Sequence, residues 1–243
     1  MTSYVLAPVA ERYLGRHVAI PVEADGVVRA MPVVLRLERP GGPVEVPTRT
    51  PVLEAAAAAA LAVCLDPRAG PDGEWHEAVT TWVASRIRKI ARRARGAHWD
   101  AVQELPGVTV EVGGAQVRAL LPGPVDDVPR SVSRLQIGGT DLEPDDPGEL
   151  PLGVAVIWVN AGLRMTVGKA AAQVGHASML FAAAHGLTSV PGFAVRDAAG
   201  QRWAAVHAAA GRGEAVAVRD AGFTEVAPGT TTCVAGWGPT LPA

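Results

Sequence analysis

Residues 153–160, GVAVIWVN, are an apolar run closed by an asparagine. The run is far too short to span a bilayer, and it lacks the alternation of a strand with one wet face. It reads as an interior strand covered on both sides. Burying such a strand takes helices packed on each face of its sheet, which makes the carboxyl-terminal segment α/β. The loop AGLRM then leads to Thr166, a suitable cap for an alanine-rich helix that begins near Val167. Further on, GFAVRD (192–197) reads as a strand, QRWAAVHAAA (201–210) as a helix and EAVAVRDAG (214–222) as a third strand. TTTCVAG closes the sheet after a turn at Pro228-Gly229. This alternation predicts a small three-layer domain with a mixed, partly parallel sheet.

The amino-terminal half reads as α/β or α+β. VVLRLE (33–38) is strand-like, residues 52–65 form an alanine-dense helix, and VTVEV (108–112) and QVRALL (116–121) flank Gly113-Gly114 as a hairpin. Residues 74–95 carry a helical pattern, with Val79, Val83, Ile87, Ile90, Ala91 and Ala94 on one arc. Arg86, Arg88, Lys89, Arg92, Arg93 and Arg95 take the rest of the wheel. That predicted basic face is either a polyanion-binding surface or an ordinary solvated face.

The chain divides by charge. Of 22 basic and 24 acidic residues, only six and four fall in 151–243, and five acids cluster in DLEPDDPGELP (141–151) with three prolines. That composition marks a linker, so the expected organisation is a domain over 1–140, a linker over 141–151 and a domain over 152–243. Cys64 and Cys233 stand far apart in apolar runs and read as buried free thiols of a reducing compartment. With neither a secretory start nor a spanning segment, the chain is expected to be cytoplasmic, without membrane contact.

Gly168-Lys169 opens the helix after the apolar run and invites comparison with a phosphate-binding loop. Five residues, not four, separate Gly162 from Gly168, and Ala170 offers no hydroxyl to a metal. The lysine needs another role. Lys169, Gln173 and His176 follow at i, i+4 and i+7 and share one stripe of the helix. Either the stripe lines a cleft, or Lys169 reaches to water, Gln173 is exposed and His176 is bonded inside the core.

LRMTVGKAAAQVGHAS together with RDAGFTEVAPGTTT resembles the type 2 peptidyl-tRNA hydrolases over about residues 153–239. The resemblance implies hydrolysis of the ester joining a peptide, or another acyl group, to the 3′ ribose of tRNA, without metal or cofactor. It implies a site of Lys169, Asp220, Thr224 and Thr232, with Gln173, His176 and Thr230 as neighbours. The family's charged positions after its first strand and before the Gly-Lys pair are here Asn160, Gly162 and Val167. Positive charge for tRNA is thinner there, and Arg86, Lys89, Arg92 and Arg93 of the basic segment are expected to supply it. A homodimer is compatible with the pattern. The alternatives are a non-catalytic RNA- or protein-binding module on the same fold and, given Phe223 after Asp-Ala-Gly, a different ester or amide substrate.

Overall fold

The computed structural model describes residues 4–13, 23, 25–42, 44–220 and 226–238; Thr224 and Phe223 lie outside the described residues. In chain order the first half contains α1 (Ala7–Tyr13), β1 (Arg29–Arg36), α2 (Arg49–Leu65), α3 (His76–Ala84), β2 (Lys89–Ala94) and α4 (Ala97–Gln103). It continues with β3 (Gly107–Val112), β4 (Ala115–Leu120), the two-residue β5 (Gly123–Pro124) and α5 (Arg130–Ser133). The second half contains β6 (Ala155–Asn160), α6 (Val167–His185), β7 (Phe193–Ala198), α7 (Gly200–Gly211), β8 (Val216–Arg219) and β9 (Thr231–Trp237). The class is α/β, with two mixed sheets.

Strand β6 alternates as its sequence requires. Ala155, Ile157 and Val159 join the core shared with α6, while Val156 and Trp158 join a second core with Val206 and Ala209 of α7. The sheet order is β7-β6-β9-β8, with β6 parallel to β7 and antiparallel to β9, which is antiparallel to β8. The first sheet has the order β2-β1-β4-β3, with the same directions at each pairing. Leaving aside α3 and the short elements after β4, both halves therefore follow one plan of strand, helix, parallel strand, helix and antiparallel pair. α2 and α6 occupy equivalent places in it and pack directly on each other. The contact is reciprocal, because α6 also touches β2 and α2 touches β7. It has the form of a two-fold interface contained in one chain.

Small residues make this approach possible. Ala55, Ala56, Ala57, Ala59 and Ala60 of α2 and Ala170, Ala171 and Ala177 of α6 are fully buried. At Gly175 a Cβ would stand 3.1 Å from Ala60 Cβ. The two helices thus share a single apolar layer between the sheets.

One predicted element is corrected. The helix expected over 74–95 ends at Ala84, and residues 89–94 are the strand β2, paired in parallel with β1 from Met31 opposite Lys89 to Arg36 opposite Ala94. The apolar spacing suits either state, and pairing with the buried strand β1 decides between them. On a strand, neighbouring side chains leave on opposite faces, so the six basic residues cannot form one cationic helix face. The hairpin matches expectation: Gly113 and Gly114 have φ of 52° and 80°, as a two-residue turn between twisted strands needs. The acidic segment 141–151 has no helix or strand but is anchored. Asp145 Oδ1 accepts from Thr50 N at 2.9 Å and from Thr50 Oγ1 at 2.8 Å, while Arg196 donates to Glu149 O at 3.1 Å.

Candidate functional site

The amino end of α6 is built from close local contacts. Thr166 caps the helix by accepting from Lys169 N at 3.2 Å, and Gly168 N donates to Thr140 Oγ1 at 3.0 Å. A side chain at 168 would meet that hydroxyl, since a Cβ would lie 2.9 Å from Thr140 Oγ1. The glycine of the Gly-Lys pair therefore serves this approach, and two amides that a phosphate loop would need are already occupied. Thr140 is almost fully buried. It lies 28 residues upstream, and no local pattern distinguishes it in the sequence.

From this end a polar chain runs into the protein. The Lys169 ammonium contacts Asp220 Oδ2, which also accepts from Gln173 Nε2 at 3.1 Å. Gln173 Oε1 in turn accepts from Thr232 Oγ1 at 2.6 Å. Asp220 is held at the end of β8, its amide donating to Thr230 O at 2.9 Å and its carbonyl accepting from Gly229 N at 2.8 Å. The side chains of Lys169 and Asp220 are only 9% and 4% exposed, and Thr232 is fully buried behind Gln173. Thr232 thus reaches the cleft through Gln173, while the Asp220 carboxylate, which only accepts, fixes which way that amide points.

Lys169, Gln173, His176 and Asp220 line a cleft of about 1260 Å³. One wall is α6 and β8. The other is residues 86–91 of the first half, including Arg86 and Lys89. Of the two readings of the α6 stripe, the cleft-lining one is found, and Gln173, which the other reading placed in solvent, is buried. His176 Nδ1 lies 3.2 Å from Lys89 Nζ. Burial, then the charges of Lys89 and Lys169, hold His176 well below the ordinary imidazole value of 6.5.

The structure thus gathers Lys169, Asp220, Thr232, Gln173, Thr230 and His176 at one place. Arg92 and Arg93 go elsewhere: Arg92 donates to Leu135 O at 2.8 Å, and Arg93 donates to Gly138 O at 3.1 Å and contacts Gln136. Their guanidinium groups pin the segment 133–138 to the edge of the first sheet. Burial lowers the pKa of Arg92. Cys64 and Cys233 are free, buried thiols, and burial pushes both up to about 12. Among the described residues no three His, Cys, Asp or Glu side chains converge as a metal site, and no helix is long and apolar enough to cross a membrane. Comparison with family models, with curated proteins and with solved structures gives no match to this chain.

Proposed function

We propose that this chain is a peptidyl-tRNA hydrolase-like esterase that cleaves the ester between a peptide, or another acyl group, and the 3′ ribose of tRNA. The observation that carries this reading is the chain Thr232–Gln173–Asp220–Lys169 ending at an open cleft. Ester hydrolysis needs a water held against the carbonyl and a positive group where the oxyanion forms. Asp220, fixed by Gln173 and by its own backbone bonds, orients the water. Asp220 takes a proton from that water as it attacks, and Lys169 stabilises the oxyanion. The tetrahedral intermediate collapses as the proton passes to the departing ribose oxygen, leaving the free acyl carboxyl group and the 3′ hydroxyl of tRNA. Thr224 enters this reading through the family resemblance alone. The proposed site is cytoplasmic, needs no cofactor, and takes tRNA as the partner that delivers the ester.

The test is release of tRNA from N-acylated aminoacyl-tRNA by the wild type and by Lys169→Met. Release by the wild type and a loss of at least about a hundredfold in the variant are expected, the scale of removing one oxyanion donor. A wild type that binds the acylated tRNA without releasing it supports the non-catalytic module instead. That second reading has its own support, because Lys169 and Asp220 neutralise each other and are nearly buried.

A further inference from the structure

The wall of the cleft that comes from the first half sends one side chain to the stripe on α6. Lys89, the first residue of β2, lays its stem across α6 at Gly175, where a Cβ would come within 3.0 Å of Lys89 Cδ and 3.1 Å of Cε. Its Nζ stands 3.2 Å from Met179 Sδ, 3.5 Å from Ile87 O and 3.2 Å from His176 Nδ1, with the Trp82 ring centroid 5.1 Å away. An ammonium only donates, while a carbonyl oxygen and a thioether only accept. Nδ1 therefore completes the set as the third acceptor and must present its lone pair to Lys89. Among the described residues His176 Nε2 has no protein partner, and His176 lines the cleft.

This lysine is an unfavourable tenant. The titratable groups facing it are Cys64 from α2 and His176 from α6, with no carboxylate among its electrostatic neighbours in the described residues. Burial lowers its pKa to about 7. A methionine would fill the same space without the desolvation penalty, and a strained or poorly solvated polar group retained beside a cleft points to function.

We propose that Lys89 is a positioning residue of the cleft: by donating to His176 Nδ1 it fixes the imidazole as the Nε2–H tautomer, which offers a neutral hydrogen-bond donor to an oxygen of the bound substrate. That the substrate is an acyl-tRNA ester rests on the function proposed above; the tautomer does not. The donor stays neutral because His176 does not take up a proton near neutral pH. As pH rises through about 7 the amine loses its proton and can itself accept, so the Nδ1–H tautomer becomes available and the donor in the cleft weakens.

The experiment is a ¹⁵N spectrum of the His176 ring in the full chain. Near pH 6 the wild type is expected to show an unprotonated Nδ1 and a protonated Nε2, with the Nδ1–H form growing toward pH 9. Lys89→Met, which keeps the stem over Gly175, is expected to show a tautomer mixture already near pH 6. A protonated Nδ1 in the wild type near pH 6 overturns the proposal, and so do tautomer populations that neither the substitution nor pH moves. Should Lys89→Met fail to fold, the wild-type pH series decides alone. In the release assay, Lys89→Met should lower kcat about fivefold to tenfold, the loss of one oriented hydrogen bond. His176→Gln removes the imidazole, should lower the rate by itself and should leave nothing for Lys89 to orient, so adding Lys89→Met should cost little more. A double variant that falls below His176→Gln by as much as Lys89→Met falls below the wild type overturns the positioning role. A wild type inactive on the ester defeats the esterase reading and leaves the tautomer result standing.

Discussion

The two halves follow one topology and differ most at the amino ends of their central helices. The third residue of α6 is Lys169; that of α2 is Pro51. The seventh is Gln173 against Ala55, the tenth His176 against Ala58, and the residue after the third strand of each plan is Asp220 against Gly113. At the second position of the last strand Thr232 faces Gln116. The first half thus builds the same layers without any member of the polar chain. What polar side chains it places at this end serve docking: Arg49 bonds Asp197 at 2.7 Å, and Glu54 accepts from Val195 N at 3.0 Å. The fold does not need Lys169, Gln173, Asp220 and Thr232, and a buried polar chain that a fold can omit is best explained by what it does.

The largest effect that can break this comparison is at Asp220. Asp220→Ala takes the carboxylate away from the Lys169 ammonium and the Gln173 amide, and should lower stability in urea by about 3–5 kcal/mol, as for one partner removed from a buried pair. Lys169→Met combined with Asp220→Asn removes both charges and should recover most of that loss while remaining inactive on acylated tRNA. A double variant as unstable as Asp220→Ala would mean that the second half, unlike the first, depends on the pair for its fold.

Lys89→Met has the next effect, and its size changes with pH. The lysine titrates at about 7 in the folded chain against 10.5 for an ordinary lysine. Between those values the unfolded chain holds a proton that the folded chain lacks, so wild-type stability rises with pH across that window. The penalty is fully present below about 7 and disappears toward 10.5. Lys89→Met should therefore melt higher than the wild type near pH 6, by at least about 4 °C where 1 kcal/mol moves Tm by about 2–4 °C. The two melting curves should converge as pH rises toward 10. A gain that is equal at all pH values would show that packing, not charge, sets it.

The half-to-half contact itself is tested by a smaller change. Gly175→Ala pushes a methyl against Lys89 and Ala60, both within 3.1 Å of the added atom, and should destabilise by about 1–3 kcal/mol. Gly211→Ala, at the end of α7 with nothing within 4 Å, should instead stabilise slightly, by up to about 1 kcal/mol. Equal responses at the two glycines would remove the claim that α6 is shaved to admit the other half.

What was legible in the sequence was local. The run 153–160, the capped helix from Thr166, the Gly113-Gly114 hairpin and the stripe of Lys169, Gln173 and His176 each declare themselves within one or two turns of chain. Asp220 and Thr232 were reached through the family resemblance, since an aspartate after a strand and a threonine within one have ordinary structural uses. The strand at 89–94 was hidden because its apolar residues also fit a helix and nothing near Ser85 breaks one; only the partner β1 decides. The repeated topology leaves no trace at the matched positions compared above, where every residue differs. Thr140 and Lys89 matter through contacts 28 and 87 residues away, which no pattern of spacing encodes.

The smallest effect concerns Arg92, where the first half's basic segment, read as a helix, was expected to bind RNA. Its bond to Leu135 O replaces solvent exposure, so Arg92→Gln should cost about 0.5–1.5 kcal/mol of stability and leave the salt dependence of tRNA binding unchanged. Arg86 lines the cleft, and Arg86→Gln should lower the slope of log K against log salt by about 0.7–0.9, the loss of one phosphate contact. The contrast separates two basic residues that sit six positions apart in the sequence but face different tasks. A slope that falls equally in both variants would restore the outer edge of β2 as an RNA-binding surface and shift the proposed site of tRNA capture away from the cleft.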